Sequence, residues 1–436
     1  MKYKYNPLKG LKTFLILWAT QMISNLGSQM TSFALIIWSY EQKGSALTTA
    51  LLSICSYAPY IVLSIFAGAL SDKWNKKYTM LFCDTFAAVT TVAVLALLKT
   101  GNLEIWHLYV LNALNGVMNT VQQPASDVSV SLVTPKHQYQ RVSGLRAFSN
   151  SLVNILTPVI ASAVLAFAGL EAVIAIDLIT FLTAFLVLAF FIRIPEIVRE
   201  REEHRESLLQ SAKTGLKYLA DNRGILDLML FLAAINLTAS MYNAALPAMV
   251  LSRAAGGQTV LGMINTCVGA ANLIGSIMVS LLPAPKSRVR TIMNALLFSM
   301  STENLCIALG RGPLIWYTGA VLGWLFIPVF SGNMDVLFRS RIPVSMQGRV
   351  FSARNTLQFF TIPLGYLLGG VLVDYVCEPL MAMQKDNSLL IRIFGSEKGS
   401  GAALLFFGIA ILGIVTCLIF RRDKHIWQLE EKVQGL

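Results

Sequence analysis

Long apolar runs recur along the whole chain and leave few folds open to it. Residues 13–38, 50–70, 181–192 and 402–420 carry no charged side chain. Crossing a hydrocarbon core takes about 20 residues of helix, and these runs reach that length alone or with their flanks. In lipid every backbone N–H and C=O must be satisfied internally, which restricts a spanning chain to helices or a closed barrel. Barrel strands would alternate apolar and polar residues over about ten positions. These solid runs do not alternate, so the spans are helical. The whole chain agrees, at 55% hydrophobic and 13% charged. Soluble domains run nearer 45–50% and about 25%.

Apolar patterning predicts twelve spans, at 14–38, 47–71, 78–98, 105–127, 139–168, 171–193, 225–251, 258–283, 289–309, 313–338, 349–376 and 400–420. The one long polar connection, 194–222, separates six from six. It holds a run of alternating charge and then Leu208, Leu209, Ala212, Leu216 and Leu219 at helical spacing. Such a segment reads as an amphipathic helix on the membrane surface. The expected organisation is an all-α membrane protein with an N-terminal six-helix bundle (1–193), a linker (194–222) and a C-terminal six-helix bundle (223–436).

A net charge of +12 raises the question of a nucleic-acid partner, and the placement of the charge answers it. Loops and tails on the side of the N-terminus hold 26 Lys and Arg, the opposite loops hold 7, and Arg146 and Arg354 lie inside spans. That bias is the positive-inside signature, predicting a multi-pass protein of the cell membrane with both termini cytoplasmic. The basic balance therefore reports topology and leaves no case for nucleic acid. The first span follows Lys2, Lys4, Lys9 and Lys12 but is too long for a signal peptide and lacks a small-residue cleavage site.

One segment of each half recurs at an offset of 208 residues: Asp127, Val128, Pro135, Arg141, Val142 and Arg146 return as Asp335, Val336, Pro343, Arg349, Val350 and Arg354. A fainter echo links Asn25, Leu26 and Met30 to Asn236, Leu237 and Met241 at offset 211. Two parallel repeats of six helices suit a transporter that rocks about a midplane site.

An ionisable group at the centre of a span costs about 2.5–3.5 kcal/mol, so each such group implies a partner or a function. Asp127 near the end of the fourth span and Arg146 early in the fifth can meet across antiparallel helices, and Asp335 with Arg354 repeats the arrangement. Asp84 is placed to pair with Lys76 or Lys77. Asp177 and Glu303 lie within apolar spans and are the candidates for carrying a coupled proton.

The loop after the second span reads Gly68-Ala-Leu-Ser-Asp72-Lys-Trp-Asn-Lys76-Lys77. It resembles the loop signature of the major facilitator superfamily, with Asn75 where a glycine is usual, a left-handed turn position that Asn tolerates. The resemblance extends over nearly the whole chain and is nearest to the branch of macrolide efflux proteins and the enterobactin exporter. It is carried also by Ala175-Ile176-Asp177, Gly215-Leu-Lys-Tyr218 and Gln347-Gly348-Arg349-Val350-Phe351. It implies that Asp72 docks on the start of the eleventh span near Arg349 and helps close a cytoplasmic gate. The first, fourth, seventh and tenth spans would line the pathway, making Gln21, Asn25, Asn115, Gln122, Asn236, Tyr242 and Asn333 cavity candidates. With Phe33, Trp38, Trp324 and Phe326 nearby, the cavity is expected to be mainly apolar. Two family features differ here: the fourth span has Asn112, Asn115 and Gly116 where many antiporters place an Arg, and the fifth has Leu156-Thr157-Pro158 in place of a Gly-Pro pattern.

The function implied is secondary active export of small amphipathic compounds by a monomer in the bilayer, coupled to a proton or ion gradient. A lipid or lysolipid flippase, or a non-transporting receptor, is the alternative on the same scaffold. No cofactor, metal or enzymatic activity is expected. The phosphate-binding Gly-x-x-x-x-Gly-Lys-[Ser/Thr] and the zinc-binding His-Glu-x-x-His are both missing from the sequence, and the six Cys lack paired spacing.

Overall fold

A computed structural model describes residues 11–134, 139–194, 217–281, 283, 285–342, 360–385 and 387–431, and all regular structure among them is helical. The helices are α1 (Lys12–Lys43), α2 (Ala46–Lys73), α3 (Lys76–Lys99) and α4 (Ile105–Val133). The run Tyr139–Phe190 is interrupted at Gly169, whose φ of 76° ends α5 (139–168) and starts α6 (170–190). Only glycine enters that region without a Cβ clash. Then come α7 (Arg223–Ser252), α8 (Gln258–Leu281), α9 (Arg288–Leu309) and α10 (Pro313–Leu325, continuing past Phe326 as Ile327–Arg341). Last are α11 (Phe360–Ala382), α12 (Ser400–Arg421) and α13 (Lys424–Glu431). Among the described residues, eight helices are long and apolar enough to cross a membrane, with 148–190 taken as one. At 1.5 Å per residue, the 32, 28 and 29 residues of α1, α2 and α4 also exceed a bilayer core.

The helix starts follow local capping chemistry. Asn75 does not take the left-handed conformation expected from the sequence; its φ is −63° and its side chain caps α3 by accepting from the Tyr78 N–H. Both a tight turn and an N-cap favour Asn, and here the orphan donors of α3 decide. At α4, Glu104 and His107 form a reciprocal capping box.

Contacts group the chain into two units. The first comprises Met1–Trp38 and Cys55–Glu203, the second Ser39–Ile54 and His204–Leu436. Within the first, Lys77 donates to the carbonyls of Ala189 and Ile192 at 2.8 Å each, placing a cation on the C-terminal end of α6. Within the second, Leu228, Phe231, Ile292, Leu296, Leu337 and Phe338 form the centre of a buried cluster on α7, α9 and α10. Close crossings there depend on small residues, as membrane bundles require. A Cβ on Gly323 would stand 2.4 Å from Glu303 Cβ, and one on Gly319 would stand 2.6 Å from Cys306 Cβ. The amphipathic α13 seals one end of this unit. Its Glu430 accepts from Ser287 Oγ at 2.8 Å, and Gly224 of α7 lets the His425 carbonyl approach.

Candidate functional site

In the first unit α1, α4 and α5 each turn one stripe of side chains toward a shared cleft of about 400 Å³. On α1 the stripe is Phe14, Trp18, Gln21 and Asn25; on α4 it is Asn119, Gln122, Ser126 and Val130; on α5 it is Arg146, Ser149, Asn150 and Val153. Steps of three and four residues put each set on one helix face. Most of these side chains are polar, unlike the mainly apolar cavity expected from the sequence. The large apolar groups invoked for it lie elsewhere: Phe33 and Trp38 are further along α1, and Trp324 is turned into the second unit.

Arg146 Nη2 and Asp127 Oδ1 are 2.6 Å apart at this cleft, an ion pair across the α4–α5 connection. Trp18 Nε1 donates to the Leu145 carbonyl at 3.1 Å and to Ser149 Oγ at 3.2 Å, holding α5 against α1. On sequence alone Asp84 is expected beside Lys76 or Lys77. Instead it accepts a hydrogen bond from Gln122 Nε2, with Gln21 adjacent. Lys77 is occupied at the end of α6, and α4 packs alongside α3, so the amides are the donors within reach. The cleft thus has a guanidinium–carboxylate pair and a carboxylate–amide group behind its polar lining.

The two candidates for proton coupling lie outside this cleft. Asp177, buried on α6, accepts from Ser28 Oγ at 3.0 Å, with Thr31 beside it. Gly27 permits that crossing, since a Cβ there would meet Thr180 Oγ1 at 2.3 Å. Glu303 is 3% exposed inside the second unit. It accepts from Trp324 Nε1 at 2.7 Å, and Tyr242 stands next to it, edge-on to Phe406. The partners described for both acids are neutral.

Several other candidates are used within their own bundles. Asn115 accepts from Thr90 of α3 at 3.0 Å, Asn333 accepts from Arg288 Nη1 at 2.9 Å, and Asn236 is half-buried on α7. Gly68 and Asp72 in α2 and Arg141 in α5 belong to stretches whose side chains are outside the description, and Arg349 and Arg354 lie outside the described residues. Asp335 sits on the exposed side of α10. Sequence reasoning misses Trp18, Asn119, Ser149 and Asn150, although all four continue the three-and-four spacing of residues it selects. Metal-ligand chemistry appears among the described residues at Asp227, Asp423 and His425 of the second unit. There His425 Nδ1 lies 3.3 and 3.4 Å from the two carboxylates and ties α13 to α7.

A profile of the Major Facilitator Superfamily matches residues 17–366. Macrolide efflux protein A of Streptococcus pyogenes is 24% identical over 375 residues, 86% of this chain and 92% of that one. Multidrug efflux pump Tap of Mycolicibacterium fortuitum is 22% identical over 368 residues, 83% and 88% of the two chains. Among solved structures, a bacterial homologue of the iron transporter ferroportin in its inward-facing state superposes with a TM-score of 0.69. It is 15% identical, and the match covers 95% of this chain and 99% of that one. The nucleoside transporter NupG gives 0.65 at 11% identity, covering 94% and 100%. At such identities the structural likeness speaks for the fold.

Proposed function

Because the chain belongs to the Major Facilitator Superfamily, we propose that it is a secondary active exporter of small amphipathic compounds, working by alternating access and driven by a proton or ion gradient. The observation that carries this reading is the cleft of the first unit. A polar-lined recess of about 400 Å³ with a charged pair at its wall suits a ligand with one polar and one apolar face. The efflux relatives supply the direction and the class: macrolides and mixed drugs are what their names say they export. The charge bias supports a cytoplasmic position for the termini, and with them for the end of the helices at which this cleft lies.

Asp127 and Arg146 act in this reading as a brace whose exchange of partners accompanies opening, and Asp335 with Arg354 serves the second half in the same way. Asp72, Lys76 and Arg349 complete the cytoplasmic gate. Glu303 is the first choice for the coupled proton. A carboxyl held by an indole N–H with a phenol beside it, and with no cation among its described partners, gains or loses charge at a cost the bundle registers.

The test is transport by the purified full chain in proteoliposomes, with a macrolide, a lipophilic cationic dye and a fluorescent lysolipid offered under an imposed pH gradient. Gradient-dependent movement of the macrolide or the dye is expected. Movement of the lysolipid alone, or of none of them in vesicles whose protein remains folded, overturns the reading.

A further inference from the structure

Two carboxylates four residues apart on α11 each cap a different helix. Asp374 takes three donors from the start of α2: Ser45 Oγ at 2.6 Å, Ala46 N–H at 3.0 Å and Leu47 N–H at 2.8 Å. Glu378 accepts from the N–H groups of Gly399 at 3.0 Å and Ala402 at 3.3 Å, at the start of α12. Both place negative charge on the positive end of a helix.

The two helix starts differ in what they have without α11. At α2 the Ser45 hydroxyl also accepts from the Thr48 N–H at 3.1 Å, so this helix has its own N-cap. At α12 the N-cap is Gly399, with φ of 93° and no side chain to bond. Removing Glu378 therefore leaves α12 uncapped, whereas removing Asp374 leaves α2 intact and only undocks it.

What Asp374 holds is the tip formed by the end of α1 and the start of α2, residues 39–54, which belongs to the second unit although most of both helices belongs to the first. Two further polar bonds tie the tip within the second unit. Tyr40 Oη donates to the Ala248 carbonyl at 3.0 Å, and Gln258 Nε2 donates to Glu41. A Cβ on Gly370 would meet Leu47 Cα at 2.7 Å, and Ala50 Cβ and Leu47 Cδ1 at 3.2 Å each, so α11 seats the tip by close approach. The polar bonds of such a seam can be exchanged for other donors and acceptors when it opens. The segment carrying Asp374 is itself irregular, a π-helical turn at Leu372–Cys377, a geometry common at functional positions.

We propose that Asp374 is the latch of the side opposite the termini: its carboxylate docks the 39–54 tip in the second unit, and its release from the α2 start is a step of the transport cycle. The proposal rests on the transporter reading, and its test separates the two. Thiol labelling of Ala50→Cys, 1% exposed, and of Ser39→Cys, fully buried and nearly isosteric, reports undocking in the full chain in nanodiscs. Mass spectrometry of the modified peptide distinguishes these positions from the six native cysteines.

Asp374→Ala is expected to speed labelling at both reporters at least tenfold with little change in melting temperature. Glu378→Ala is expected to lower the melting temperature and leave the labelling near its starting rate. Unchanged labelling in Asp374→Ala, or a melting loss matching that of Glu378→Ala, overturns the latch. If labelling responds as stated while the unaltered protein moves no compound in vesicles, the docking stands and the transporter reading fails.

Discussion

In the first unit Asp127 at the cleft and Asp84 behind its wall have guanidinium and amide partners, while in the second unit Glu303 of α9 is enclosed with an indole of α10 and a phenol of α7. The sequence repeat joins the ends of the fourth and tenth spans, and there the halves share residue types. Inside the bundles only the fainter echo of α1 in α7 persists, and around the buried acids the halves part. A repeat that keeps its charged and proline positions at helix ends preserves topology and leaves each interior free to take a different task. In the proposed reading the first unit would present polar groups to a ligand, and the second would keep the Glu303 carboxyl apart from water.

The largest effect expected from disturbing this contrast is at the cleft. Arg146→Ala leaves Asp127 without the guanidinium at 2.6 Å. Both side chains are more than one-third exposed, 41% and 48%, so stability should fall by less than about 1 kcal/mol. Transport should fall about 100-fold, about 2.7 kcal/mol, because the pair can no longer exchange partners as the gate opens. Melting curves and vesicle transport measured together check this. Equal losses in both would make the pair a structural brace. Reversing the pair, Asp127→Arg with Arg146→Asp, should recover part of the activity.

Next in size is Glu303→Gln. The amide keeps an acceptor for Trp324 Nε1 and nearly the same volume, so the α9–α10 crossing at Gly323 should hold. Uphill transport should drop about tenfold, equal to about 1.4 kcal/mol, and lose its dependence on an imposed pH gradient, while downhill equilibration continues. Gradient dependence that survives the change removes Glu303 from coupling.

Helices and their order are legible in the chain because uncharged runs of more than 18 residues have one stable form in lipid, and the glycine at 169 stands within a residue or two of the expected break. The cleft is partly legible: Gln21, Asn25 and Gln122 stand out as polar residues in apolar runs, and their helical spacing leads to Trp18 and Asn119. Partner choice is not legible. Asp84 takes an amide in place of a lysine because Lys77 reaches the α6 carbonyls, a fact of packing that no local pattern encodes. Asp374 and Glu378 escape notice because acids near the end of a span read as interfacial, although their four-residue spacing puts both on one helix face.

A smaller effect is expected at Gln122→Leu. It removes the donor to Asp84 and leaves an underbonded carboxylate behind the cleft wall, at about 1–3 kcal/mol. Because Gln21 remains adjacent, the lower end of that range applies, with transport reduced about fivefold and the melting temperature lowered by a few degrees. A double substitution with Gln21→Leu should exceed the sum of the two single losses, since each amide covers for the other. Simple additivity would show that only one of them supports Asp84.

The smallest effect belongs to Asp177→Asn. Asp177 is buried like Glu303, but its surroundings differ: Ser28 and Thr31 come from α1 of the same unit, and Gly27 lets α1 and α6 approach until the carboxyl is wedged at the crossing. Asparagine keeps an oxygen for the Ser28 hydroxyl at the same reach and adds N–H donors that Thr31 can accept. Packing and hydrogen bonding are both conserved, so transport should change less than about twofold, under 0.5 kcal/mol, with gradient dependence intact. Asp177→Leu should instead strand the Ser28 hydroxyl and crowd Gly27, lowering the melting temperature with transport falling in proportion. If Asp177→Asn abolishes uphill transport while Glu303→Gln does not, the proton site moves to the first unit, and the division of tasks between the units is reversed.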